Sequence, residues 1–468
     1  MTAPLRLHNT LGGALEEFRP ADPRAVGLYL CGLTVYSRGH VGNYRSFLAV
    51  DLLRRALKYK GYGVRGVMNI TDVDDRIIDL AAKAGRDLRA FTEENIASFE
   101  QDMATLRMEW PEVVPKATDH IAEMVDLIDS LIARGHTYMA DGSVYFRISS
   151  FPQYGALSGL DTSGIRAGAR VDSDKYDKEN PRDFALWKAK SDEPEWAQWD
   201  APFGRGRPGW HIECSAMSMK YLGETFDLHC GGVDLIFPHH ENEIAQSVCG
   251  TGQPFVRHWA HVQHLMVEGE TMSKSKGNVF TIPEIVEKGH RPEAVRYLLA
   301  SAHYRKSLNF TWEGLHQAAA ALERIHGFAR RLDEVEGEGA PDAAEAVAAR
   351  AAQAFDAALS DDLNTPEALA AVHLLVNEGN ALLAGGGAGR AGAARLREQL
   401  ASMDAVFGVL LPDDADRLSP DEQGLYDARQ DARRRRDWAA ADEARAKLLA
   451  LGIVLEDTAK ATRWRRAR

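Results

Sequence analysis

VGLYLCGLTVYSRGHVGNYRSFLAVDLLRRALKYKGYGVRGVMNI, residues 26–70, reads as strand, helix and strand in succession. VGLYLC (26–31) is a short apolar run of β character ended by Gly32. A helical periodicity starts near Val41, runs through FLAVDLLRRALKYK and is closed by Gly61. VRGVMNI (64–70) is the second strand. Strand, helix and strand at this spacing make a βαβ unit, so the expected fold class is α/β with a parallel sheet of Rossmann type. Ligands of such sheets bind beyond the carboxyl ends of the strands. Cys31 ends the first strand and Thr71 follows the second, so both are expected at one crevice.

Between the two strands, GHVGNYRSF (39–47) puts His40, Gly42 and Asn43 at the opening of the helix. A helix N-terminus offers unpaired N–H groups and the positive end of the dipole, which suits phosphate. His40 and Asn43 are both placed to donate to phosphate oxygens, and Gly42 lets a flat base approach the backbone. The plainer reading of the same residues is a capped helix.

Outward from this unit, residues 85–190 mix helix and strand with polar turns and read as an insertion between a first core half, 1–84, and a second, 191–283. The second half holds a helix over 240–249, an apolar strand over 259–267 (WAHVQHLMV) and a Gly/Ser/Lys loop over 269–278. From about 284 the pattern is helical, with Ala-rich segments at 317–332, 343–359 and 366–384. GEGAPDAAE (337–345), GGGAGRAGA (385–393) and LPDDADRLSP (411–420) read as linkers or loose loops.

Nothing near the N-terminus resembles a signal peptide, and no apolar run is long enough for a membrane span. Four cysteines in 468 residues do not make a disulfide framework, so ligation or reduced thiols in the cytoplasm are expected. A net charge of −12 excludes indiscriminate nucleic-acid binding by the whole surface. The charge is uneven: Gly424–Arg468 carries twelve Lys or Arg against seven Asp or Glu, a net +5 on which a polyanion can dock.

A second informative stretch is GWHIECSAMSMKYLGETFDLHCGGVDLIFPHHENE (209–243). His239 and Glu243 are four apart at a helix start, so both reach one ion, and Cys214 brings a thiolate from an earlier segment. Cys, His and carboxylate together suit Zn²⁺. Read singly, these residues are a surface pair and a core thiol; clustering favours the metal. In ETMSKSKGN (270–278), Lys274 between Ser273 and Ser275 is a mobile cation for a triphosphate. Alone, such a loop is most simply a solvated turn.

HVGN followed some 230 residues later by TMSKS resembles the HIGH and KMSKS signatures of class I aminoacyl-tRNA synthetases. YLCGLTVY, NITDVDDRI, GRPGWHIECSAM, FDLHCGGVDLIFPHHENEIAQ and HYRKSLNFT narrow the resemblance to the cysteinyl-tRNA synthetase family, from about Leu5 to the end of the chain. The resemblance implies ATP-dependent activation of L-cysteine, with Mg²⁺, and its transfer to the terminal adenosine of tRNA(Cys). It implies one zinc on Cys31, Cys214, His239 and Glu243; Cys31 is not reachable from local spacing. Thr71, Trp210 and His229 would line the cysteine pocket. Gly42, Gly231, Gly232 and Asp234 would approach ATP, with Ser273, Lys274 and Ser275 on its phosphates. His40, Asn43 and Lys274 would be the catalytic donors. Cys230 and Cys249 are expected as buried thiols.

Two positions depart from the signatures. Asn43 stands for the second His of HIGH, and Thr271 for the first Lys of KMSKS, a lost charge for which Lys276 is the nearest substitute. Residues 284–320 would contact the tRNA stem, 321–410 form a helical tRNA-binding domain and 421–468 bind the anticodon, with Trp464 stacking among Arg463, Arg465 and Arg466. The protein is expected to be a monomer without an editing domain, because a metal–thiolate contact discriminates against serine and alanine where pocket size alone does not. The rivals are the related cysteine ligase of mycothiol synthesis, disfavoured by residues 421–468, and an inactive RNA-binding paralogue, disfavoured by the metal set and Lys274. A zinc hydrolase is disfavoured by HHENE in place of HExxH.

Overall fold

The N-terminal chain folds back on itself as β1 (Arg6–Asn9) and β2 (Ala14–Glu17), then enters β3 (Val26–Leu30), whose five residues are all buried. A strand covered on both faces has no polar alternation, hence the unbroken apolar run. α1 (Val41–Tyr59) returns the chain, and β4 (Val64–Met68) pairs parallel with β3 from Val26↔Val64 to Leu30↔Met68. The expected βαβ unit is present, its strands ending one or two residues early. The structure, a computed structural model, describes residues 4–159, 183–189, 193–339, 341–412, 418–457 and 462–466.

After β4 come α2 (Asp75–Lys83), α3 (Leu88–Thr105), α4 (Ile121–Ala133) and the pair β5 (Thr137–Ala140) and β6 (Ser143–Phe146). β7 (Phe184–Lys188) and β8 (Arg207–Pro208) complete an antiparallel sheet in the order β5-β6-β7-β8. The sheet of the insertion therefore runs past residue 190, because Trp187 pairs with Pro208. Residues 160–182 and 190–192 lie outside the described residues.

α5 (Trp210–Leu222) leads into β9 (Phe226–Gly232), which lies beside β3 on the side away from β4. α6 (Glu241–Thr251) then connects to β10 (Val256–Val262), parallel to β9. The resulting sheet, β10-β9-β3-β4, is parallel throughout. Successive strands leave β3 in opposite directions, which opens a crevice at the carboxyl ends of β3 and β9. Cys31 stands at that seam, its N–H donating to Cys230 O at 3.2 Å.

The apolar stretch 259–267 is not one strand. β10 stops at Val262, and β11 (Leu265–Val267) joins a separate sheet with β12 (Glu270–Thr271). α7 (Ile282–Glu287) and α8 (Pro292–Ala300) precede β13 (Leu308–Phe310), and pairing of Leu265 with Leu308 draws β11 away from the main sheet. Hydropathy cannot register such a change of partner, since both sheets bury the run.

Helices α9 (Trp312–Asp333), α10 (Pro341–Ser360), α11 (Thr365–Ala384) and α12 (Gly389–Phe407) follow. Two segments expected as loose loops are partly helical: α10 begins within GEGAPDAAE and α12 within GGGAGRAGA. Glycine in a helix costs about 1 kcal/mol, but here smallness has a use. A Cβ on Gly392 would stand 2.8 Å from Ala344 Cβ, so α12 packs against α10 only with glycine there.

Arg296, fully buried on α8, ties these helices to the core. Its guanidinium donates to Phe407 O at the end of α12 (2.6 Å), to Leu106 O (2.9 Å) and to Asp51 Oδ2 on α1 (2.6 Å). A cation at the helix C-terminus satisfies carbonyls left without an intrahelical partner.

The C-terminal unit consists of α13 (Pro420–Arg434), α14 (Trp438–Ala450), β14 (Ile453–Asp457) and β15 (Thr462–Arg466). Its own small core is Leu448, Ile453 and Leu455. Of the expected linker 411–420, residues 413–417 lie outside the described residues; Ser419 caps α13 through Glu422. Among the described residues no helix is long and apolar enough to cross a membrane.

Candidate catalytic cleft and metal centre

A cavity of about 680 Å³ opens at the carboxyl ends of β3, β4 and β9. Cys31, Thr71, Trp210, Cys214 and His239 line one part of it, and His40, Gly42, Asn43, Gly232 and Asp234 another. Residues separated by up to 208 positions thus meet because three parallel strands end at one edge.

Cys31, Cys214, His239 and Glu243 bring four ligand atoms within 4.8 Å of one another, all buried. Cys31 follows β3, Cys214 lies on α5, and Glu243 is in the first turn of α6. His239 comes from the wider turn Ile236–His240 just before α6, its Nε2 3.0 Å from Glu243 Oε1. Cys31 Sγ is 3.7 Å from Cys214 Sγ and 3.7 Å from Glu243 Oε1. Zinc bonds of about 2.0–2.3 Å at tetrahedral angles put ligand atoms about 3.3–3.8 Å apart. The sulfurs are too far apart for a disulfide, and the four side chains fit a tetrahedral ion.

The charges agree with the distances. Burial pushes the Glu243 carboxyl upward, but His229 and His239 outweigh it and hold it down to about 2. Burial likewise opposes ionisation of Cys214, yet the Cys31 thiol and His239 bring it down to about 6. Against burial, Glu243 and Cys214 lift His239 to about 10. A buried carboxylate and a thiolate together call for a positive partner.

Three further imidazoles stand behind the ligands. His229 Nε2 donates to Glu243 Oε2 at 2.9 Å, His211 Nδ1 is 2.9 Å from His239 Nδ1, and His240 Nε2 is 3.3 Å from Cys31 Sγ. Such partners fix the orientation and basicity of metal ligands. His229, expected in the cysteine pocket, is fully buried and does not line the cavity; it reaches the site through Glu243. Thr71 and Trp210 do line it, Trp210 stacked on His239 with centroids 4.2 Å apart.

At the other part of the cavity, HVGN caps α1, as the plainer reading has it. His40 Nδ1 accepts from Asn43 N–H, and Asn43 Oδ1 accepts from His40 N–H. The cap thus uses one atom of each side chain and leaves His40 Nε2 and Asn43 Nδ2 outside it. The space above Gly42 is filled by Met272, whose Cε would stand 2.1 Å from an added Cβ, so a base does not have it unless that flexible side chain moves. Gly232 lies under Asp234, with Oδ1 2.3 Å from the position of an added Cβ. Gly231 instead faces His240 and is not on the cavity surface.

Met272 brings the TMSKS loop into the cavity, whereas Ser273 and Ser275 bond to each other at 2.7 Å outside it. Lys274 opens a short turn over Lys274–Lys276. Lys276, the nearest substitute for the charge missing at Thr271, is paired with Glu270 at 3.0 Å.

Residues 17–320 match the family described as tRNA synthetases class I (C) catalytic domain, residues 354–411 a DALR domain, and residues 415–465 the cysteinyl-tRNA ligase anticodon binding domain. The chain is 50% identical to the cysteine–tRNA ligase of Solibacter usitatus over 99% of both chains. It is 45% identical to that of Geobacter sulfurreducens over 98% of this chain and 99% of the relative.

The chain belongs to the cysteine–tRNA ligase family.

Solved structures with the same fold include Mycobacterium tuberculosis methionyl-tRNA synthetase with methionyl-adenylate, at TM-score 0.58 and 18% identity over 83% of this chain and 90% of that one. An Agrobacterium radiobacter LeuRS ternary complex aligns at TM-score 0.59 and 13% identity over 84% and 85% of the two chains. In this member of the cysteine–tRNA ligase family, Trp464 is half-buried against the small C-terminal core, with the Arg330 guanidinium 6.0 Å from its ring. The side chains of Arg463 and Arg465 lie outside what the structure describes. Sequence reading passed over Trp438, 60% exposed at the start of α14 after Arg434, Arg435 and Arg436. It also passed over His211 and His261. The signal for Trp438 was RRRRDW itself, a tryptophan with no apolar stripe to join.

Proposed function

We propose that this chain joins L-cysteine to tRNA(Cys) in two steps, forming cysteinyl-adenylate from ATP and then transferring cysteine to the terminal adenosine. The observation that carries the reading is the Cys31, Cys214, His239 and Glu243 quartet, the first three of which line the same cavity as the α1 N-terminus. Asp234 accepts from the ribose hydroxyls of ATP beside Gly232. His40 Nε2, Asn43 Nδ2 and Lys274, with Ser273 and Ser275 shaping its loop, stabilise the phosphates of ATP, which would carry Mg²⁺, as the cysteine carboxylate attacks the α-phosphorus and pyrophosphate leaves. The terminal ribose hydroxyl of the tRNA then attacks the carbonyl carbon and AMP leaves. Both steps depend on positioning and charge stabilisation, without a covalent enzyme intermediate.

Cys31, Cys214, His239 and Glu243 would hold one zinc ion, which supplies a soft acceptor for the substrate thiolate and none comparable for the hydroxyl of serine. Thr71 and Trp210 enclose the substrate beside it. The division of labour we propose is a core of 1–84 and 191–283 around the insertion 85–190, stem contact by 284–320, and tRNA binding by 321–410 and 421–468. Trp438 joins Trp464 as a surface for an unpaired base. The chain would act as a monomer. Four free buried thiols suit the reducing cytoplasm.

The test is charging of tRNA with labelled cysteine alongside cysteine-dependent pyrophosphate exchange. Base-labile label on tRNA is expected. Exchange without charging would move the assignment to ligation onto a sugar amine, and neither activity in zinc-replete protein would overturn it.

A further inference from the structure

Ala302, His303 and Tyr304 follow α8 and bond to both sides of the nucleotide end of the cavity. Arg45, buried on α1 two residues after Asn43, donates from Nη2 to Ala302 O at 3.0 Å and to His303 O at 2.9 Å, and from Nη1 to Leu299 O. Tyr304 O accepts from Gln263 N–H at 2.8 Å. Gln263 and His264 line the cavity directly after β10, whose last residue, Val262, pairs with Gly232. The helix start that carries His40 and Asn43 is thus fastened to the same short segment as the strand end beside Gly232 and Asp234.

One carboxylate holds the far side of that segment. Asp362, buried in the turn between α10 and α11, accepts from Tyr304 O–H at Oδ1 (2.6 Å) and from Arg305 Nε–H at Oδ2 (2.5 Å). Its Oδ1 also accepts from His8 N–H on β1 at 2.8 Å, and its own N–H donates to Arg6 O at 2.9 Å. Asp362 and Leu363 both have left-handed backbone, with φ of 59° and 50°. Consecutive residues other than glycine stay in that region only where their surroundings over-determine them. Here Leu363 is packed in the core, and Asp362 is bonded through its backbone and both carboxylate oxygens.

Attachment of the helices does not depend on this carboxylate alone, because Arg296 already ties α12 to the core. What the carboxylate adds is a hold on Tyr304, the residue whose carbonyl fixes Gln263. We propose that Asp362, acting through Tyr304, is a positioning residue by which the helical domain sets the nucleotide end of the cavity. Without it the 302–304 segment loses its outer support, and the cavity wall at Gln263 shifts against the start of α1. Cys31 and Cys214 stand on other elements, after β3 and on α5, so the cysteine end keeps its shape. The inference rests on the ATP reading proposed above.

The test is cysteine-dependent pyrophosphate exchange by the full-length, zinc-loaded protein. Asp362→Ala removes the carboxylate. Asp362→Asn keeps an oxygen acceptor for Tyr304 and suits the left-handed backbone, and Tyr304→Phe removes the hydroxyl alone. The KM for ATP should rise about 3- to 30-fold in Asp362→Ala and about two- to fivefold in Tyr304→Phe, with the KM for cysteine and the zinc content unmoved. Asp362→Asn should recover most of the loss. An unchanged KM for ATP in both Asp362→Ala and Tyr304→Phe would overturn the proposal, and a lowered melting transition beside it would assign the carboxylate to stability alone. Equal rises in the KM for ATP and for cysteine would also overturn it, as would equal losses in Asp362→Ala and Asp362→Asn, which would place the effect on Arg305. Absence of exchange in the unsubstituted protein would remove the ATP reading itself.

Discussion

His229 Nε2 donates to Glu243 Oε2 at 2.9 Å, while the other oxygen of that carboxylate faces His239. The residue expected to line the cysteine pocket does not line the cavity and bonds to Glu243, which lies within the Cys/His/Glu cluster. His229→Ala should weaken zinc binding by about 10- to 100-fold, with His229→Gln intermediate. Excess zinc should recover exchange activity in part. A raised cysteine KM with full zinc content would show direct substrate contact instead.

Lys276 is paired with Glu270, and the phosphate role proposed for the loop is assigned to Lys274. Lys274→Ala should slow cysteine-dependent pyrophosphate exchange by about 10²- to 10³-fold, with zinc content unchanged. Thr271→Lys adds the missing charge at an exposed site and should raise exchange by no more than about fivefold. Wild-type exchange in Lys274→Ala would remove the loop from the phosphate chemistry.

Arg296→Met leaves Asp51 and the carbonyls of Leu106 and Phe407 without their buried guanidinium. A stability loss of about 3–5 kcal/mol is expected, read by calorimetry as a lower melting transition. An unmoved transition would mean that the helical domain is held on by other contacts.

Asp457 latches the C-terminal strands to α13. Arg429, foremost, holds its carboxyl well below the usual range, against weak burial and with help from Thr462 and Arg433. A folded pKa below the unfolded value of about 3.9 contributes stability that is present above that pH and is lost as pH falls toward the folded value. Slow amide exchange in β14 and β15 should therefore exceed that of Asp457→Asn at neutral pH, the difference shrinking below about pH 4. A difference that persists undiminished at lower pH would exclude the latch.

Trp438 is exposed and follows the run Arg433, Arg434, Arg435 and Arg436 in sequence. Trp438→Ala should raise the tRNA KM by about 5- to 150-fold and leave pyrophosphate exchange intact. Unchanged charging at limiting tRNA would assign the ring to no base.

The sequence by itself determined the βαβ unit, the pairing of His239 with Glu243 and the basic end, because each is a local pattern of period, spacing or charge. It did not show the break at Val262, which depends on which strand β11 pairs with, nor the helical start of α12, where glycine serves close packing against Ala344. Nor did local spacing bring Cys31 to Cys214, 183 positions away. Only the tertiary structure decided that Cys31 faces them and that His229 stands behind Glu243. Parallel strands separated by long crossovers end at one edge, so contacts there have no sequence period to announce them.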